Sequence, residues 1–161
     1  MNALSLDIST ASLGWAYGDG TIQNTIYGTK SFSLFKDDYG SLFFHYEKWL
    51  NEIIEYYQPQ YLFLENVNPG LKGQARYLLT AMHGIAHKNA WYEDLMRIDF
   101  SPPTIKKFFT TNGRASKEDM VAQAESRGFL VDNNDEADAI AILLLGLETV
   151  SEGEWKPTEK K

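Results

Sequence analysis

Apolar and polar residues alternate with a period of two at the start of the chain. Leu4, Leu6 and Ile8 interleave with Ala3, Ser5 and Asp7, which predicts a strand with one carboxylate set near its end. A polar turn, Ser9-Thr10-Ala11-Ser12, separates it from a second strand over 13–17. Gly18-Asp19-Gly20 is a hairpin signal, and the Thr-, Ile- and Tyr-rich residues 21–32 after it predict a third strand. Beyond a loop at 37–41, with Ser41 as the expected N-cap, the period changes. Leu42, Phe43, Tyr46, Trp49, Leu50, Ile53, Ile54 and Tyr57 recur at helical spacing, and Pro59 stands just past the end. Residues 61–65 then form a nearly continuous apolar run closed by Glu65, the signature of a buried parallel strand.

Asn66-Val67-Asn68-Pro69-Gly70 breaks that run, and a long helix is predicted from about 72 to 91. Ala75, Leu78, Leu79, Met82, Ile85 and Ala86 mark one side of it, and small residues at Ala81, Gly84, Ala86 and Ala90 would let a second helix approach. That side is an expected twofold interface between copies, or else core. A fifth strand over 95–100 ends at Ser101-Pro102-Pro103, followed by a short helix over 104–110. Ser116 should cap a helix running to Arg127, with Asp119 in the third position, and Gly128 should end it. The last helix, 135–150, carries Ala137, Ile140, Ala141, Leu143, Leu144 and Leu147, enough to be largely buried. Strands first, then strand–helix alternation, predict one α/β domain over 1–150 with a mixed five-stranded sheet flanked by helices. Residues 151–161, charged and with little to bury, are expected to form a flexible tail.

Composition narrows this picture in two ways. The chain has no cysteine, so disulfides and thiolate metal sites are excluded. No signal pattern precedes the first strand and no apolar run is long enough to span a bilayer, which makes a soluble cytoplasmic protein the expectation. The formal charge of −7 at first speaks against a nucleic-acid partner, but whole-chain charge does not describe one face. Lys72, Arg76, His87 and Lys88 fall in one segment, and Lys106, Lys107, Arg114 and Lys117 in another.

Three acidic sites carry the candidate chemistry. Asp7 and Glu65 each close a hydrophobic strand, and Asp135 and Asp138 lie three apart at the start of the last helix, so both leave one helix face. Taken alone, Asp7 could cap the turn after it and Asp135 could complement a helix dipole. Neither explanation reaches Asp138, which precedes Ala-Ile-Ala-Ile-Leu-Leu-Leu and must point inward. Four converging carboxylates repel one another and resist ionisation unless a cation joins them. Hard oxygen donors in that number suit Mg²⁺ or Mn²⁺. His83 and His87 are four apart, but His-Gly-Ile-Ala-His lacks the Glu of a zinc-protease helix, so a helix-surface or interface role is expected. Trp91 and Tyr92 could stack on bases or simply pack.

The order strand-Asp, strand-Glu, helical Asp-x-x-Asp resembles the RNase H-like nucleases, and in detail the RuvC-type Holliday junction resolvases of phages and mobile elements. The resemblance rests on Leu6-Asp7-Ile8-Ser9 through Gly14-Trp15-Ala16, Leu64-Glu65-Asn66-Val67, Lys72-Gly73-Gln74-Ala75-Arg76, Ile105-Lys106 with Lys117, and Asp135-Glu136-Ala137-Asp138-Ala139-Ile140-Ala141. It implies a homodimer that cuts branched DNA (four-way junctions, forks, flaps) in the cytoplasm of a bacterium or a phage-infected cell. It further implies that Asp7, Glu65, Asp135 and Asp138 hold two Mg²⁺ or Mn²⁺ ions. Lys106 and Lys117 would stand beside the scissile phosphate, and Lys72, Arg76, Lys107 and Arg114 would hold backbone phosphates with them. One departure is plain. The loop after Glu65 is several residues shorter than in the bacterial enzymes and lacks the aromatic residue they insert at the crossover, so a weak sequence preference is expected. Alternatives from other classes are an RNA or RNA–DNA hybrid nuclease, a branched-DNA-binding protein without activity, and a fragment of an actin-like or sugar-kinase ATPase. The last needs a second domain and a Gly-rich adenosine loop that this chain does not hold.

Overall fold

Five strands, β1 (Ala3–Asp7), β2 (Ser12–Gly18), β3 (Ile26–Ser31), β4 (Tyr61–Glu65) and β5 (Met96–Phe100), form one sheet in the order β3-β2-β1-β4-β5. The structure, a computed structural model, describes residues 1–153; most of the expected tail, residues 154–161, lies outside the described residues. β1 pairs antiparallel with β2 and β2 with β3, whereas β1, β4 and β5 run parallel. The sheet is therefore mixed, as the alternation of elements predicts. No helix of the described residues is long and apolar enough to cross a membrane.

Helices cover both faces, which is why β4 reads as an almost unbroken apolar run. On one face, α1 (Tyr39–Tyr57) and α2 (Gly73–Tyr92) pack Leu42, Tyr46, Leu50, Leu78 and Met82 against Leu4, Leu6, Leu62 and Leu64. On the other, α3 (Pro102–Thr110), α4 (Lys117–Ser126) and α5 (Asn134–Ser151) cover Ala3, Ala16, Phe63 and Ile98. α5 is buried nearly all round, through Ala137, Ala139, Ile140, Ala141, Ile142 and Leu143, as expected of a helix in the middle of a core. It lies so close to β4 that a Cβ on Gly146 would stand 2.2 Å from the Phe63 ring.

Several boundaries differ from expectation for identifiable reasons. Residues 22–24 form a 3-10 turn, and only Ile26–Ser31 is strand. Asp19 winds the chain there, its carboxylate accepting hydrogen bonds from the Thr21 N–H and hydroxyl and from the Asn24 amide. Ser41 is not the cap of α1; Asp38 is, accepting from the Ser41 N–H, so the helix begins at Tyr39. α3 starts two residues early because its prolines occupy the first turn behind the Ser101 cap, where no N–H is needed. Ser116 and Asp119 form the reciprocal capping box, and Gly128 with φ +93° follows the end of α4. The expected twofold interface on α2 is corrected in part: Leu78, Met82 and Ala86 are core against the sheet, and Leu79 and Ile85 pack beside them.

Candidate active site

Strand register brings the first two acids together. Leu6 of β1 pairs with Leu64 of the parallel neighbour β4, so Asp7 and Glu65 leave the same end of adjacent strands. Alternation turns Ser5 and Asp7 to the α5 face, along with Phe63 and Glu65.

Two close approaches then seat the start of α5 over Asp7. Gly14, the antiparallel partner of Asp7, lies under the Asp135 carbonyl; a Cβ there would be 2.0 Å from that oxygen. One turn on, the buried Ser5 hydroxyl donates to the Ala139 carbonyl at 2.7 Å. The helix end is itself locked. Asn133 caps it by accepting from the Glu136 N–H at 3.0 Å, and the buried Glu136 carboxylate accepts from the Asp132 N–H at 2.8 Å. Asp135 and Asp138, three apart, thereby face the strand-end acids. The Asn134 amide donates to Asp135 Oδ1 at 2.8 Å and also bonds the Asp138 carboxylate.

All four carboxylates are half-buried and feel one another. Burial, reinforced by Glu65, Asp138 and Asp135, pushes the Asp7 carboxyl well above its ordinary range, against the pull of Lys117. Burial and then Asp138 raise Glu65 to about 7, with Lys106 pulling the other way. Asp138 rises to about 6 through burial, opposed by Lys106, the Asn134 amide and Lys117. Lys106 on α3 is half-buried and donates to the Ala115 carbonyl at 2.8 Å, while Lys117 opens α4 and is exposed. The structure thus gathers Asp7, Glu65, Asp135, Asp138, Lys106 and Lys117. It does not draw Lys72, Arg76, Lys107 or Arg114 into that cluster; all four are exposed, the first two at the start of α2, Lys107 on α3, and Arg114 in the loop before α4.

The donor set fits a hard divalent cation. It offers carboxylate oxygens whose mutual repulsion a cation would relieve, on rigid strand and helix ends. Among the described residues no three His or acidic side chains close into a ready cage. Mg²⁺ does not require one, because it keeps several waters and is held by one or two carboxylates together with substrate phosphates.

Sequence reasoning missed the parts that hold the acids in place. Asn133-x-x-Glu136 carries a capping-box spacing that could have been recognised. Ser5 and Gly14 carry no local signal, since their partners are more than 100 residues away. Of the helix-surface or interface role expected for His83 and His87, the surface place is corrected for His83, while His87 stays partly exposed. His83 is only 8% exposed, and His87 Nε2 lies 3.1 Å from Asp99 Oδ2, with Arg97 Nε 3.1 Å from the other Asp99 oxygen.

Replacing Gly14 by Ala should therefore damage the site from beneath. The added Cβ meets backbone, which cannot rotate away, so α5 must shift off β2. Overpacking of this kind costs about 1–3 kcal/mol or more. Gly14→Ala is expected to lower the melting temperature and to weaken Mg²⁺ binding together; unchanged values would show that the helix start moves freely.

No family model matches the chain. It is 32% identical over 99 residues to the crossover junction endodeoxyribonuclease RuvC of Anaeromyxobacter sp. (strain K), an alignment covering 61% of this chain and 54% of that protein. The match thus spans about half the length of that relative. Thermus thermophilus RuvC in complex with a Holliday junction substrate superposes with a TM-score of 0.80 over 98% of this chain and 99% of that one, at 16% identity. The yeast mitochondrial Holliday junction resolvase gives a TM-score of 0.67 over 94% and 80%, at 10% identity. Five strands in this order, flanked by these helices, give the chain the RNase H-like fold of the RuvC-type Holliday junction resolvases.

Proposed function

We propose that residues 1–150 form one metal-dependent, structure-selective endonuclease domain. It resolves Holliday junctions and cuts other branched DNA by phosphodiester hydrolysis, with two Mg²⁺ or Mn²⁺ ions per site, in the cytoplasm of a bacterium or phage-infected cell. The observation that carries this reading is the convergence of Asp7, Glu65, Asp135 and Asp138, with two lysines beside them, at one end of a RuvC-like sheet. The relatives' own substrates point the same way: T. thermophilus RuvC and the fowlpox virus resolvase are each described in complex with Holliday junction DNA.

Asp7, Glu65, Asp135 and Asp138 would hold the ions. When bound, the divalent ions supply Lewis-acid charge that activates water and stabilises the leaving oxygen. The protein's part is orientation: two strand ends and a capped helix start keep the carboxylates fixed, while the Asn134 amide holds Asp135 in place. Lys117, exposed at its helix start, is free to reach the phosphate and offset charge on its oxygens. Lys106, tied to the Ala115 carbonyl, contributes fixed positive charge from behind. A homodimer would set two such sites against the opposed strands of a twofold junction; monomers by light scattering at concentrations that cut would remove that part of the reading.

The test is incubation of the protein and Mg²⁺ with labelled four-way junction, fork, duplex and RNA–DNA hybrid. Cleavage of the branched DNA is expected, with duplex intact. Cleavage of the hybrid alone would make the protein a ribonuclease, and binding without any cut would make it a junction-binding protein.

The raised carboxyls also give stability a pH dependence. Glu65 and Asp138 titrate higher in the folded protein than in the unfolded chain, so between about pH 4 and 7 the folded state binds more protons and stability falls as pH rises. A cation removes that loss by taking the protons' place. The melting temperature without metal should therefore be lower at pH 8 than at pH 5.5 as far as these groups decide it. Mg²⁺ should raise it clearly at pH 8 and little at pH 5.5. An equal Mg²⁺ effect at both values would place the ion elsewhere.

A further inference from the structure

We propose that Asn134 sets which divalent cation the carboxylate site accepts, favouring Mg²⁺ over Ca²⁺ by engaging Asp135 and Asp138 with its amide; this rests on the metal-dependent function proposed above. Asn134 is the first residue of α5, and the helix does not need its side chain. Asn133 makes the cap, and Glu136 ties down the chain before it through the Asp132 N–H. Asn is also a poorer helix former than Ala. What the side chain does is reach the acids. Its amide donates to Asp135 Oδ1 at 2.8 Å and bonds the Asp138 carboxylate as well. Among the described residues no other side chain donates a hydrogen bond to any of the four acids, and Lys106 and Lys117 act on them by charge.

An ionised carboxylate offers two oxygens, and the number left free decides which ion it suits. Ca²⁺ takes many oxygens in flexible geometry and gains from carboxylates that bind through both. Mg²⁺ demands a tighter, more regular set and keeps several waters, so one oxygen from each acid serves it. An oxygen that already accepts an N–H is a poor second ligand. Asn134 thereby leaves Asp135 and Asp138 suited to binding through one oxygen. The acids cannot simply swing round, because the Gly14 approach and the Ser5 bond to Ala139 lock the helix start over β1 and β2. A neutral amide is the right group for this task. An ammonium or guanidinium would fix the same oxygens but would take the cation's place.

Asn134 is half-buried and lines an open groove of about 350 Å³ with Lys117 and Val121, so its side chain can be changed without opening a core cavity. The test needs no cleavage. Affinities for Mg²⁺ and for Ca²⁺ are read from the rise in melting temperature with ion concentration at pH 8, a measure that reaches weak binding. Asn134→Ala should lower the ratio of Mg²⁺ to Ca²⁺ affinity about tenfold, as expected when a metal ligand loses its hydrogen-bond partner. Asn134→Leu fills the amide's volume without an N–H and should give the same ratio as Asn134→Ala. Asn133→Ala removes the helix cap instead; it should lower the metal-free melting temperature and leave the ratio as in wild type. An unchanged ratio in both Asn134 variants, with a Mg²⁺ response that Asp7→Asn abolishes, overturns the inference and leaves the function standing. A ratio restored by Leu but not by Ala would show that Asn134 acts by filling space, which overturns it too. A Mg²⁺ response that Asp7→Asn leaves intact, or none in the wild type, would sink both.

Discussion

Asp7→Asn protein is expected to bind a four-way junction as tightly as wild type or more so, while its Mg²⁺-dependent cleavage falls by roughly 10³-fold or more. Asp7 is the acid on which the other three act most, with Glu65, Asp138 and Asp135 all raising its carboxyl. On the proposed reading, neutralising it would take away a ligand for the ions and also a negative charge from the path of a phosphate backbone. The same change relieves repulsion in the metal-free protein, so the variant should melt at a higher temperature than wild type when no Mg²⁺ is present, most visibly near pH 8. Glu65→Gln should behave alike, scaled to its smaller set of acidic neighbours. Gel-shift affinity, initial cleavage rate and melting curves on the same preparations decide the matter. Loss of binding and of melting cooperativity along with cleavage would make these acids structural.

How much of this was legible in the sequence depends on the range over which each signal acts. β1 could be read from its alternation, and β4 and α5 from apolar runs because burial on both sides leaves no polar face to confuse the period. Asp138 was legible for the same reason: a charge that opens an otherwise apolar helix has to be accounted for by a partner. Residues 21–25 were misread because β-forming composition does not reveal that Asp19 ties down both Thr21 and Asn24. The face of α2 was ambiguous since a helix packed on a sheet and a helix packed on a copy of itself use the same spacing; only the sheet beneath Met82 settles it. The burial of His83 and the pairing of His87 with Asp99 were hidden because β5, which carries Asp99, lies beyond the reach of a local pattern. The six-residue cluster was legible as residue types, but not its mounting, since Gly14 and Ser5 act through contacts that exist only once α5 has docked.

Junction affinity should collapse with salt, by about 10³-fold between 50 and 200 mM, if Lys72, Arg76, Lys106, Lys107, Arg114 and Lys117 together engage about six phosphates. The net charge of −7 does not oppose this, because whole-chain charge does not describe the face on which these basic residues lie. Four of the six basic residues are exposed and lie outside the carboxylate cluster, so their charge is available to DNA. Lys72 sits at the α2 start, directly after the short loop that leaves Glu65. Contacts of this kind position a strand and read no bases. Double substitution of Lys72 and Arg76 by Ala should therefore weaken binding about equally for all sequences and reduce the salt slope by about 2, with little change in melting temperature. The same physics predicts cuts spread over many sequences when a junction is free to branch-migrate, and cleavage of forks and flaps as well. Mapping those cuts gives the decisive result. A single short consensus, with forks left whole, would mean that bases are read directly and that phosphate contacts are the lesser part of recognition.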